Sequence, residues 1–163
     1  MNELGLIQVY TGNGKGKTTA SLGLMLRAVG HDLKSSMIQF MKSEAAYGET
    51  VIRNYLPEFE IIPVGRPGLI NLKNPDPIDQ QLAEQGWALA REKISSGKYN
   101  LVVLDEINVA LNYGLLSVPE VVNFLANKNK RCEVVLTGRY APPEVIELAD
   151  LVTEMKDLKG DET

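Results

Sequence analysis

The chain has 163 residues, 44% of them hydrophobic, with 21 acidic against 17 basic side chains, a net charge of -4 and a single cysteine. Such a length suits one domain with an ordinary core, while the acidic balance argues against a nucleic-acid partner and the lone Cys132 excludes an internal disulfide. No apolar run approaches the roughly 20 residues of a membrane span, and Met1 to Leu4 carries no charged-then-apolar leader, so a cytoplasmic protein without membrane contact is expected.

Short β-type runs alternate with helical stretches, which predicts a mostly parallel α/β sheet with helices on both faces. Leu6 to Tyr10 reads as the first strand, followed by a glycine-rich turn and a helix from Thr18 to Val29 that Gly30 stops. Ser36 to Phe40 is the second strand, then a short helix around Thr50 to Leu56, then Glu60 to Val64 as the third. Between Gly65 and Pro77 lie three prolines and two glycines, a loop long enough to form the wall of a binding site. Ile78 to Ile94 has amphipathic spacing and closes at Gly97. Leu101 to Leu104 is continuously apolar, as a strand buried on both faces must be, and Asp105-Glu106 stands at its C-terminal end. A helix from Ile107 to Tyr113 stops at Gly114, and Ser117 to Glu120 is a capping box for the next helix. Glu133 to Thr137 is the fifth strand, a short helix follows Pro143, and Leu151 to Thr153 is the last strand before a polar tail from Lys156 that is expected to be mobile.

Thr11-Gly12-Asn13-Gly14-Lys15-Gly16-Lys17-Thr18-Thr19 lies directly after a strand and opens a helix, the setting of a phosphate loop. Glycines let several N–H groups converge on phosphate oxygens at a helix N-terminus. Lys17 neutralises phosphate charge and Thr18 offers a hydroxyl to Mg²⁺. Thr11 stands where the general pattern has glycine, and the bland alternative is a Gly-Lys-rich turn with no ligand. Asp105-Glu106 reads either as the second acidic element, a Mg²⁺ site, or as acidic residues at a helix start. His31, after Gly30, reads as a capping or turn residue.

Tyr10 to Ala20, Arg27 to His31, Ile38 to Lys42, Val103 to Asn108, Thr137 to Arg139 with Pro142, and Ala149 to Lys156 together resemble the P-loop-type corrinoid adenosyltransferases. The resemblance spans nearly the whole chain, as a single domain of a P-loop NTPase-like, RecA-like fold. It implies transfer of the 5′-deoxyadenosyl group of ATP to a corrinoid Co(I) with release of triphosphate. It also implies a homodimer and a flavodoxin-type or other reductase as electron source. By the same resemblance Gly12, Asn13, Gly14, Lys15, Gly16, Lys17, Thr18 and Thr19 bind ATP, Lys17, Thr18 and Glu106 are the catalytic set, and Thr18, Asp105 and Glu106 hold Mg²⁺. Arg27 matches a family motif and is carried as a nucleotide contact, although an arginine on an amphipathic helix is ordinarily solvated. Arg139 follows a strand end, where open sheets place ligands, and is either an anion or corrinoid contact or a solvated side chain. Lys15 faces either phosphate or solvent.

Co(I) is already a strong nucleophile, so this chemistry needs alignment, charge neutralisation and exclusion of water, with no general base. Two departures stand out. Relatives carry an aromatic pair in the loop before the long helix, where this chain has Gly65 to Lys73 with Leu69, Ile70 and Leu72; and they continue beyond the Met155-Lys156 element with a Lys-His segment. A short form is therefore expected. A carrier or regulator that binds ATP or corrinoid without turnover, and an ordinary phosphohydrolase or kinase, are the competing readings.

Overall fold

The computed structural model describes residues 5–44 and 48–160. The start at Met1 to Leu4 and the last three residues of the tail lie outside them. Six parallel strands form one sheet in the order β3-β2-β4-β5-β1-β6: β1 (Ile7–Thr11), β2 (Ser35–Phe40), β3 (Phe59–Val64), β4 (Leu101–Asp105), β5 (Glu133–Thr137) and β6 (Leu151–Glu154). Between them run α1 (Lys17–Gly30), α2 (Gly48–Ile52), α3 (Pro77–Ser95), α4 (Ile107–Asn112), α5 (Val118–Ala126) and α6 (Pro143–Leu148). This is the P-loop NTPase-like, RecA-like α/β architecture. β5 stands between the strand that leads into the phosphate loop and the strand that ends in Asp105.

Alternation along the strands divides the core in two. On one face Met37, Val103 and Val135 meet Met25 and Ala28 of α1. On the other Ile38, Val102, Leu104 and Leu136 meet Trp87 and Ala90 of α3, Ile107 and Ala110 of α4, and Val121 and Leu125 of α5. β4 is buried along its whole length, as its unbroken apolar run requires.

Element ends shift for local reasons. α2 stops at Ile52, short of Leu56: the chain there tightens into i→i−3 bonds, Asn54 N–H to Val51 O at 3.0 Å and Tyr55 N–H to Ile52 O at 2.9 Å. α3 begins on Pro77 itself, where a missing N–H costs nothing. Ser117 Oγ accepts from Glu120 N at 3.3 Å, but the Glu120 carboxylate does not return to close the capping box: it accepts from Trp87 Nε1 at 3.3 Å. Among the described residues no helix is long and apolar enough to cross a membrane.

A polar knot ties α3 to the sheet. Glu60 accepts from Ser36 Oγ at 2.8 Å, from Lys93 and from Tyr99 OH at 3.1 Å. Burial pushes the Glu60 carboxyl up, but the Lys93 and Ser36 hydrogen bonds and the Lys93 charge outweigh it and hold the group below its ordinary value of 4.5. A depressed carboxyl stabilises the fold fully above its unfolded value and loses that contribution as the pH falls through the folded one. Glu60→Gln is therefore expected to cost about 0.5–1 kcal/mol at pH 7, after solvent screening. Urea melts from pH 7 to pH 3 should show the deficit closing below 4.5; a deficit that persists unchanged at pH 3 would reject this account.

Candidate functional site

Tight backbone turns shape the loop after β1. Gly12 and Gly16 adopt φ of 96° and 107°, and α1 starts at Lys17. A Cβ on Gly14 would lie 2.6 Å from the carbonyl carbon of Met155, and one on Gly12 would lie 2.3 Å from its oxygen. These glycines thus allow the chain leaving β6 to press against the loop. Contact is made by Gly14 N donating to Met155 O at 2.8 Å.

Gly14, Lys15, Gly16, Lys17, Thr18 and Thr19 line one cavity of about 360 Å³ together with Glu106 and Arg139. Three chain segments, following β1, β4 and β5, converge there at the C-terminal ends of parallel strands, where open α/β sheets place ligands. Lys17 Nζ donates to Gly14 O at 2.6 Å. Burial and then the Arg139 charge lower the Lys17 ammonium below the ordinary lysine value, with Glu106 and Asp157 opposing. Two cations turned toward one space are unfavourable alone and favourable around a polyanion.

Asp105 and Glu106, adjacent in sequence, have different surroundings. Asp105 is fully buried. Its Oδ1 accepts from Thr18 Oγ1 at 2.8 Å and from Thr137 Oγ1 at 2.7 Å, and its Oδ2 accepts from Lys42 Nζ at 2.6 Å. Glu106 takes a left-handed backbone, φ 66°, a conformation costing about 1 kcal/mol for a residue with a side chain. Its N–H donates to Thr137 Oγ1 at 3.0 Å. That turn leaves the Asp105 carboxylate under the loop and the Glu106 side chain on the cavity wall. Burial and the neighbouring Asp105 charge push the Glu106 carboxyl up, against Lys42, Lys17 and Arg139.

Thr137 therefore sets both acidic residues, and Lys42 supplies the counter-charge to the deeper one. Both lie within sequence motifs that carry the family resemblance, but neither could be given this role from local spacing. Asn108, fully buried at the start of α4, donates from Nδ2 to Gly138 O at 3.1 Å. Gly138 has φ of 126°, and a Cβ there would lie 3.2 Å from Asn108 Cβ. This contact fixes the backbone immediately before Arg139.

A second cavity, about 330 Å³, is lined by Phe40, Met41, Lys42, Gly68, Leu69, Ile70, Leu72, Glu106 and Val109. The loop after β3 thus forms a wall beside the phosphate loop, and Glu106 borders both spaces. Its base is fastened by Arg66, whose Nε and Nη2 donate to the two Asp79 oxygens at 2.7 and 2.8 Å and whose Nη2 donates to Asp76 at 2.6 Å.

Arg27 is not brought to either cavity. It lies ten residues beyond Lys17 on α1, about 15 Å along the helix axis at 1.5 Å per residue, exposed and electrostatically coupled to Tyr10. His31 stands at the C-cap of α1, its N–H bonded to Ala28 O at 3.0 Å. Among the described residues no group of three or more His, Cys, Asp or Glu side chains is arranged around a metal. Mg²⁺ characteristically takes one or two carboxylates, phosphate oxygens and water; Thr18 and Glu106 line the cavity and fit that smaller oxygen set, while Asp105, fully buried with both oxygens engaged, reaches it only through the Thr18 hydroxyl.

A family model described as ATP:corrinoid adenosyltransferase BtuR/CobO/CobP matches residues 3–161. The corrinoid adenosyltransferase of Sinorhizobium sp is 40% identical over 161 residues, covering 97% of this chain and 75% of that protein. The corrinoid adenosyltransferase of Pseudomonas aeruginosa is 37% identical over 158 residues, covering 97% and 78%. Among solved structures, the flagellar accessory protein FlaH from Methanocaldococcus jannaschii superposes with a TM-score of 0.60 over 92% of this chain and 70% of that one, at 10% identity, a likeness of fold alone. The family match over residues 3–161, with relatives 37% and 40% identical across 97% of the chain, makes this chain a member of the corrinoid adenosyltransferase family of enzymes.

Proposed function

We propose that the protein transfers the 5′-deoxyadenosyl group of ATP to the Co(I) of a corrinoid and releases triphosphate. One observation carries this reading: a cavity flanked by Lys17 and Arg139 adjoins a cavity walled by Leu69, Ile70 and Leu72, with Glu106 on the border. A polyanion pocket next to an apolar one suits a reaction in which C5′ is attacked from one side and the whole triphosphate departs to the other. The Co(I) electron pair forms the Co–C5′ bond, and the electrons of the breaking C5′–O bond leave with the triphosphate. Neither a general base nor a nucleophilic side chain is required. Lys17 and Arg139 neutralise the departing charge, the loop amides orient it, and the half-buried Ile70 and Leu72 keep water from the reacting face. Thr18 and Glu106, with Asp105 acting through Thr18, would hold Mg²⁺, which when bound supplies further neutralisation of the triphosphate. A homodimer, a separate reductase and a cytoplasmic location complete the proposal on family grounds.

The test is an anaerobic incubation of the full chain with ATP, Mg²⁺ and chemically reduced corrinoids, followed spectrally and by analysis of the phosphate product. Adenosylated corrinoid and triphosphate in equal amounts are expected. Formation of ADP and phosphate, or no adenosylcorrinoid from any corrinoid offered, would reject it.

A further inference from the structure

Two amides of the phosphate loop are already engaged by the chain that leaves β6. Gly14 N donates to Met155 O at 2.8 Å, and Lys15 N donates to the carboxylate of Asp157, Oδ1 at 3.2 Å. The two contacts differ in kind. The first joins backbone to backbone and is built into the packing, since a Cβ on Gly14 would lie 2.6–2.7 Å from the Met155 and Lys156 backbone. Asp157 is an exposed side chain three residues past the end of β6, and rotating it away costs one surface hydrogen bond. Its carboxylate is an anion on a loop amide, close enough to Lys17 for its charge to act on that ammonium. A carboxylate oxygen and a phosphate oxygen make the same charge-assisted bond to a backbone N–H.

We propose that Asp157 is an affinity-setting residue of the phosphate loop: its carboxylate competes with the triphosphate for the Lys15 amide and for the field of Lys17. This rests on the reading of the loop as a triphosphate holder, and it extends that reading to release. In the proposed reaction the leaving group stays on the loop that held it in ATP, and each loop contact that favours binding also slows departure. A built-in anion that reclaims one amide lowers the affinity for triphosphate and hastens its exit.

The experiment is calorimetric titration of the full chain with inorganic tripolyphosphate and Mg²⁺, for the wild type, Asp157→Asn, Asp157→Ala and Lys17→Ala. Binding should tighten about threefold in Asp157→Asn, which loses only the charge, and about tenfold in Asp157→Ala, which loses the acceptor as well. The gain in Asp157→Asn should shrink as salt is raised. Thermal midpoints of both Asp157 variants should stay within about 2 °C of wild type, as for an exposed side chain. Equal or weaker binding by both Asp157 variants, with Lys17→Ala clearly impaired, overturns the role of Asp157 and leaves the loop assignment standing. Indistinguishable titrations of all four proteins overturn the loop assignment and the Asp157 proposal together.

Discussion

Lys17→Ala should lower kcat/KM for ATP by about 10²–10³-fold, the range found when a single preorganised charge-stabilising contact is removed. The side chain is buried, donates to Gly14 O at 2.6 Å and shares its cavity with Arg139. A charge held there contributes little to the fold, because burial and the Arg139 guanidinium both disfavour it, as the lowered ammonium pKa reflects. The variant should therefore melt at or slightly above the wild-type temperature while adenosylcorrinoid formation collapses. Lys17→Arg should not rescue it, since a planar fork does not occupy the space of a compact ammonium. Activity of Lys17→Ala within tenfold of wild type in the anaerobic assay would refute the assignment of the triphosphate to this loop.

Asp105→Ala is expected to be costly twice over. It removes the acceptor shared by Thr18 and Thr137 and the buried carboxylate that accepts from Lys42 Nζ at 2.6 Å, an ammonium with only 11% of its side chain exposed. Losing one member of such a pair destabilises by about 3–5 kcal/mol. Activity should fall as well, because Thr18 loses the contact that orients its hydroxyl. Adding Lys42→Met removes the other member of the pair, so the double variant should regain part of the lost stability but not the activity. Urea denaturation of the wild type, the two single variants and the double variant measures the coupling. Additive losses would show that the Lys42–Asp105 pair is not what holds this corner together.

Much of the fold could be read locally. The apolar run of Leu101 to Leu104 marks a central strand, and the glycines of Gly12 to Gly16 mark a tight strand-loop-helix turn, because both depend on neighbours in sequence. What could not be read depends on strand order. Thr137 bridges Asp105 and Glu106 only because β5 lies between β4 and β1, an arrangement no periodicity encodes. Asp157 meets Lys15 across 142 positions of chain, through the pairing of β6 with β1. Asp105 and Glu106 look equivalent as a pair of letters, and the left-handed turn at Glu106 gives them different surroundings. Arg27 shows the opposite failing: a residue in a matching motif, carried away from the loop by the rise of its own helix.

The Arg66 clamp has a consequence for how this enzyme can change. With its two ends tied by Arg66 to Asp76 and Asp79 and Leu72 packed on the core, the stretch between them holds out a tip, Leu69, that is fully exposed. Replacing residues at that tip, short of Leu72, which packs on the core, leaves the sheet and the phosphate loop undisturbed, so the wall of the second cavity can be rewritten while the rest of the fold is inherited intact. Leu69 and Ile70 give that wall its aliphatic character, and an aromatic side chain at Leu69, a position with no core contact to lose, alters it while leaving the clamp in place.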